Sequence, residues 1–221
     1  MPPLSESIDA LYDAFARNRQ RRTVHACPCC HSKAQQDALV SAPLRLLSVD
    51  ALGCFPSCAM SLFGDVRDFK HFLPRILELS SCTDLFAGAS LEKKLRQGEW
   101  RSWTPGERRA VESFVVASSL EELRRGATPA WPLIDRMTRL AGDPRETLER
   151  LFAETAAAPR WFARMLVALG SGQMTTVTEE VLKDWLLEWK KPEALERAFF
   201  AAESAEDQSL FSTALMMIEW F

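Results

Sequence analysis

A chain of 221 residues with 47% hydrophobic and 26% charged residues has ordinary globular composition and is long enough to bury its own core. A formal net charge of −3 argues against a bulk nucleic-acid binder. No run of about 18 apolar residues occurs, so no membrane-spanning helix is expected.

Nine Gly and a single Tyr argue against a Gly-punctuated β protein, whereas abundant Ala, Leu, Glu and Arg favour helices. Seven Trp and thirteen Phe supply enough apolar surface for a core without disulfides. Charge is uneven. Arg17, Arg19, Arg21, Arg22 and Lys33 lie around a cysteine cluster, whereas from Glu146 onward thirteen acidic residues face seven basic ones. The ordinary meaning is two solvated faces; the functional one is a protein partner of complementary charge. The N-terminal Met-Pro-Pro-Leu-Ser-Glu-Ser has neither a basic n-region nor an apolar h-region. A cytoplasmic protein with reduced thiols is therefore expected, which favours metal binding over disulfides.

In chain order, Ser5 to Asn18 reads as a helix with Ile8, Leu11, Tyr12 and Phe15 at helical spacing. Residues 19–33 read as a polar loop, and Gln35 to Val40 as a short helix ending before Pro43. Ser48 suits the N-cap of a helix through Leu52, Cys54, Cys58 and Met60, with Pro56 as a kink or division. Gly64 breaks that pattern, and Asp65 caps a helix over Val66–Leu79 with Pro74 inside it. Leu85 to Ser90 reads as a loop and Leu91 to Gln97 as a short helix. Thr104-Pro105 with Glu107 is a strong start for a helix to Arg125, closed by Gly126. Further starts occur at Asp143-Pro144, Ala158-Pro159, Thr178, Lys191-Pro192 and Asp207. No segment shows a convincing period of two. The expectation is an all-α protein, an irregular helical bundle or short helical array, as one domain over 1–221 with a metal-binding subregion over 20–80.

The chemistry concentrates in that subregion. Five of six cysteines and all three histidines fall in His25-x-Cys27-x-Cys29-Cys30-His31, Cys54-x3-Cys58 and His71. Soft thiolates and imidazoles at this density point to a transition metal, with zinc the best match. Cys27-x-x-Cys30 has the knuckle spacing that brings two sulfurs to one ion, and Cys54 and Cys58 share a face if helical. The expected ligands are Cys27, Cys30, His71 and Cys58, with Cys54, His31 and Cys29 competing for the fourth place. The ordinary alternative makes Cys54, Cys58 and Cys82 small buried hydrophobes and His71 a packed histidine. Asp65 and Asp68 fit either helix-start carboxylates or groups orienting His71.

Residues 25–30 and Gly64-Asp65-Val66-Arg67-Asp68-Phe69-Lys70-His71-Phe72-Leu73-Pro74-Arg75 resemble a family of uncharacterised bacterial proteins. That family's pattern is Cys-Pro-x-Cys followed by Gly-Asp-Val-x-Asp-Phe-x-His-Phe-Leu-Pro-Arg. The resemblance implies Cys27, Cys30 and His71 as site residues and implies no activity.

Other chemistry is weakly signalled. Pro within Cys27-Pro28-Cys29-Cys30 suits some redox motifs, but no strand precedes it. Gly-x-Ser-x-Gly, His-Glu-x-x-His, dinucleotide and P-loop patterns do not occur. Trp185 and Trp189 share a helix face and read as core. The expected function is a non-enzymatic protein-binding module with structural zinc, an immunity-type protein neutralising a toxin being one version. The alternatives are a zinc-dependent hydrolase with three protein ligands, water and Asp65 or Asp68 as base, or a nucleic-acid-binding regulator using the Arg17–Lys33 patch.

Overall fold

A computed structural model describes residues 3–19, 23–81, 89–125, 131–154, 158–174, 176–188 and 192–220. Among them the chain is all-α. The helices are α1 (Leu4–Phe15), α2 (Lys33–Leu39), α3 (Val49–Leu52), α4 (Phe55–Cys58), α5 (Val66–Ser80), α6 (Ala89–Gln97) and α7 (Pro105–Arg124), followed by α8 (Trp131–Ala141), α9 (Arg145–Glu154), α10 (Ala158–Gly170), α11 (Thr176–Glu188), α12 (Pro192–Ala201) and α13 (Ala205–Trp220). Single 3-10 turns cover Leu44–Leu46 and Trp100–Ser102. The described residues contain no strand, only isolated bridges joining Ala26 and Ala59 to Phe63. The chain divides into two compact units, Met1–Ala117 and Ser118–Phe221.

The first unit is built on aromatic packing. The ring of Phe55 meets Phe63 edge-on at 5.4 Å and Phe72 at 4.9 Å, while Phe15 meets Trp103 at 5.6 Å. Such edge-to-face pairs add to the burial of the rings themselves. The helix starts follow from side chains that satisfy orphan N–H groups. Asp65 accepts from the backbone N–H groups of Arg67 and Asp68, and Asp68 Oδ2 accepts from the Asp65 N–H, a complete capping box on α5. Pro74 sits buried inside α5 without ending it. Thr104 and Glu107 form the equivalent box on α7.

In the second unit, α10 packs against α8, α9, α11, α12 and α13. Trp161, Phe162, Ala163, Met165, Leu166, Ala168 and Leu169 are all buried, so this helix is enclosed on most of its circumference. Buried Asp135 accepts from Thr178 Oγ1 at 2.6 Å and from Arg139 at 2.8 Å, tying α8 to α11.

Several boundaries differ from the sequence expectation. α2 starts at Lys33, because Ser32 and Gln35 form a capping box upstream of the expected start. The segment from Val49 to Cys58 is divided at Gly53, which adopts φ +49°, and not at Pro56, which occupies the tolerant first turn of α4. α8 has no counterpart among the expected helices. It is held by burial of Leu133, Ile134, Met137 and Leu140. Thr178 lies inside α11 as a buried tether, and Ser204, accepting from the Asp207 N–H at 3.1 Å, precedes α13 in the capping role expected of Asp207. Arg21, Arg22, Cys82, most of the expected 85–90 loop and Trp189 lie outside the described residues.

Candidate metal centre

The segment between Val24 and Asp65 holds only short helices and turns, stitched together by backbone hydrogen bonds. The Cys27 N–H donates to the Leu62 carbonyl at 2.9 Å, and the Gly64 N–H donates to the His25 carbonyl at 2.6 Å. The two ladder bonds hold the first Cys/His loop against the turn that follows α4. Gly64 adopts φ +67°, and a Cβ there would meet Asp68 Cβ at 2.9 Å. Glycine is therefore needed where this loop enters α5.

Within the first loop the N–H groups of Cys30 and His31 both donate to the Cys27 carbonyl, at 3.1 and 2.9 Å. That closes the knuckle expected from Cys27-x-x-Cys30. In the second, the Cys58 carbonyl accepts from the N–H groups of Ser61, Leu62 and Phe63, and Met60 takes φ +63°. The chain thereby reverses directly after Cys58.

These turns produce two donor groups, each with ligand atoms within 4.8 Å of one another: Cys27, Cys29 and Cys30; and His31, Cys54 and Cys58. Both have the donor set and spacing to hold a metal ion, and neither contains a carboxylate. His31 is only 7% exposed, its ring stacked on Phe63 at 4.8 Å. Its Nδ1 lies 3.5 Å from Cys54 Sγ, and its Nε2 is buried without a hydrogen-bond partner. A tetrahedral ion with bonds of about 2.3 Å to sulfur and about 2.0 Å to nitrogen needs an S···N edge of about 3.6 Å. The spacing of Cys54 and His31 Nδ1 meets that value, while the orphaned Nε2 lies on the far side of the ring, as unpartnered as Nε2 of His71.

The thiols differ electrostatically. The Cys29 thiol beside it holds Cys27 below the usual thiol range, and Cys27 in turn pushes Cys29 up to about 11. Burial, and then the neighbouring Cys58, pushes Cys54 up. A bound cation reverses this order, because coordinated thiols are deprotonated.

One further group has no sequence signal. Lys94 of α6 is 5% exposed, and its ammonium donates to the Ala59 carbonyl at 2.6 Å. Weaker contacts reach Ser61 Oγ at 3.4 Å and Gln97 Oε1 at 3.3 Å. Burial pushes its pKa down, while the Cys58 thiol acts in the opposite direction. Lys94 therefore braces the reversal after Cys58 and places positive charge beside the thiolates. Nothing in Leu91–Gln97 sets this lysine apart from Lys93.

Of the four expected ligands, Cys27 and Cys30 come together, Cys58 joins Cys54 and His31, and His71 belongs to neither group. His71 Nδ1 lies 2.7 Å from the Asn18 carbonyl, its ring edge-on to Phe72, beside a cavity of about 280 Å³ lined by Tyr12, Phe15 and Pro74. A carbonyl only accepts, so Nδ1 carries the proton; burial pushes the pKa down and keeps the ring neutral. Apolar packing of Phe69, Phe72 and Leu73 sets the rotation of α5 and directs His71 to the segment after α1. Asp65 and Asp68 are engaged in the cap of the same helix.

Comparison with known proteins finds no matching family model, no matching curated protein and no matching solved structure. No helix among the described residues is long and apolar enough to cross a membrane.

Proposed function

We propose that the protein is a non-enzymatic, cytoplasmic protein-binding module whose first unit is fastened by structural zinc, with His31, Cys54 and Cys58 as its anchoring ligands. The observation that carries this reading is the convergence of those three donors from two separate turns of the chain. A metal there contributes folding energy directly, since it joins the knuckle at Cys27–His31 to the turn at Cys54–Cys58. A structural zinc takes its fourth ligand from the knuckle thiols, which form a separate group in this structure.

Two features support binding over catalysis. Neither donor group contains a carboxylate, and Asp65 and Asp68, the candidate bases, cap α5. In the second unit, Phe200 is 83% exposed and Met216 is also exposed, with exposed Glu196 one turn before Phe200 on α12. An exposed apolar residue beside an acid suits a partner that offers an apolar pocket with a basic group at its rim, the kind of surface a toxin domain would offer an immunity-type protein.

The test has two parts. Purified protein is expected to carry zinc and to lose helical signal when a strong chelator removes it. Tagged protein is then used to capture partners from the native host, beside Phe200→Ser and Glu196→Lys variants of unchanged stability. A partner held by the wild type and lost by both variants supports the module. Zinc-dependent hydrolytic turnover that His31→Ala abolishes in a folded chain, with capture intact, replaces it with the metal-hydrolase reading.

A further inference from the structure

We propose that Cys27, Cys29 and Cys30 form a second metal site, so that the first unit binds two soft divalent ions of the zinc and cadmium class. This inference rests on the zinc reading of the His31 group and extends it. A single knuckle uses only Cys27 and Cys30, which leaves Cys29 without a purpose. Yet the Cys29 sulfur lies 3.5 Å from that of Cys30 and 2.8 Å from that of Cys27. The first distance is close to the sulfur–sulfur edge of about 3.8 Å around a tetrahedral ion with bonds of about 2.3 Å. The second is about 1 Å shorter than that edge.

Ligand arithmetic supports the same conclusion. Two four-coordinate ions need eight bonds, and the two groups hold six donors, five thiolates and one imidazole. Two thiolates shared between the ions close the difference. The groups adjoin in sequence at Cys30–His31. An all-sulfur set excludes calcium and magnesium, which take oxygen ligands. Binding releases protons from the thiols as each metal–sulfur bond forms.

The experiment counts ions on the full chain. Native mass spectrometry of zinc-loaded protein is expected to show two ions per chain, and thiolate-to-cobalt charge-transfer absorption is expected to grow through two equivalents of Co(II). Cys29→Ser is expected to retain one ion with an unchanged helical spectrum. One ion per wild-type chain, with cobalt absorption ending at one equivalent, overturns the second site and leaves the structural-zinc reading standing. Two ions on Cys29→Ser with wild-type cobalt absorption also overturns it. No zinc on the wild type removes both.

Discussion

Glu107 joins three segments of the first unit, and Glu107→Gln tests how much that junction contributes. The carboxylate is 4% exposed. One oxygen accepts from Asn18 Nδ2 at 2.9 Å; the other accepts from Lys70 Nζ at 2.9 Å and from the Thr104 N–H and hydroxyl, each at 3.0 Å. Glutamine keeps the shape and one acceptor oxygen but turns the other into a donor. One side of the network is then broken, and Lys70 keeps only the face of Trp103 at 4.6 Å. Removing one partner of a buried pair costs about 3–5 kcal/mol. Lys70 retains some contact with water and Gln retains one oxygen, so a loss of about 2–3 kcal/mol is expected here. Urea unfolding followed by circular dichroism measures it. The pH dependence sharpens the test. Burial pushes the Glu107 carboxyl up, but Lys70, Asn18 and the Thr104 N–H together hold it below its ordinary value of 4.5. A depressed folded pKa gives stability that is complete above the unfolded value and is lost as pH falls through the folded one. The gap between wild type and Glu107→Gln should therefore be constant near neutrality and shrink below pH 4.5. A gap under about 0.5 kcal/mol, the range of an ordinary surface substitution, refutes the reasoning, as does one that does not change with pH.

Other perturbations address the loops that carry the two Cys/His groups. Lys94→Met keeps the buried stem but leaves the Ala59 carbonyl without its ammonium donor; it should cost about 1–3 kcal/mol and speed zinc release to a chelator. Gly64→Ala imposes an unfavourable left-handed conformation together with the close approach to Asp68, for a loss of roughly 2–3 kcal/mol seen as a lower melting temperature. His71→Ala should destabilise by roughly 1–3 kcal/mol through lost packing and the lost bond to Asn18, with metal content unchanged by elemental analysis. A folded His71→Ala protein lacking metal would return His71 to the ligand set.

The helical fold is legible where local chemistry sets it. Asp65 before α5 and Thr104-Pro105 before α7 announce their helices because each side chain satisfies backbone N–H groups within its own first turn. α8 is not legible in that way. Its existence depends on Leu133, Ile134 and Met137 finding a core supplied by residues distant in sequence. Thr178 shows the opposite error, where a residue with capping chemistry is used for a tertiary bond to Asp135.

The metal centre divides along the same line. Cys27 and Cys30 are brought together by a turn their spacing encodes, since the Cys27 carbonyl is in reach of the next N–H groups along the chain. His31 is, in the sequence, only a competitor for the fourth place, because nothing local distinguishes a histidine after a knuckle from a solvated one. Its role depends on Phe63, which lies 32 positions later and stacks on its ring, and on the Gly64–His25 bond that aligns the two loops. His71 has the stronger local pattern, set in a helix between Phe69 and Phe72, and that pattern is what carries it away from the thiols. The apolar face that makes α5 recognisable must turn inward, and a histidine on its flank goes where that rotation takes it, to the Asn18 carbonyl. Donor type is thus readable from sequence, whereas the convergence of donors is a property of the packed aromatic core that aims them.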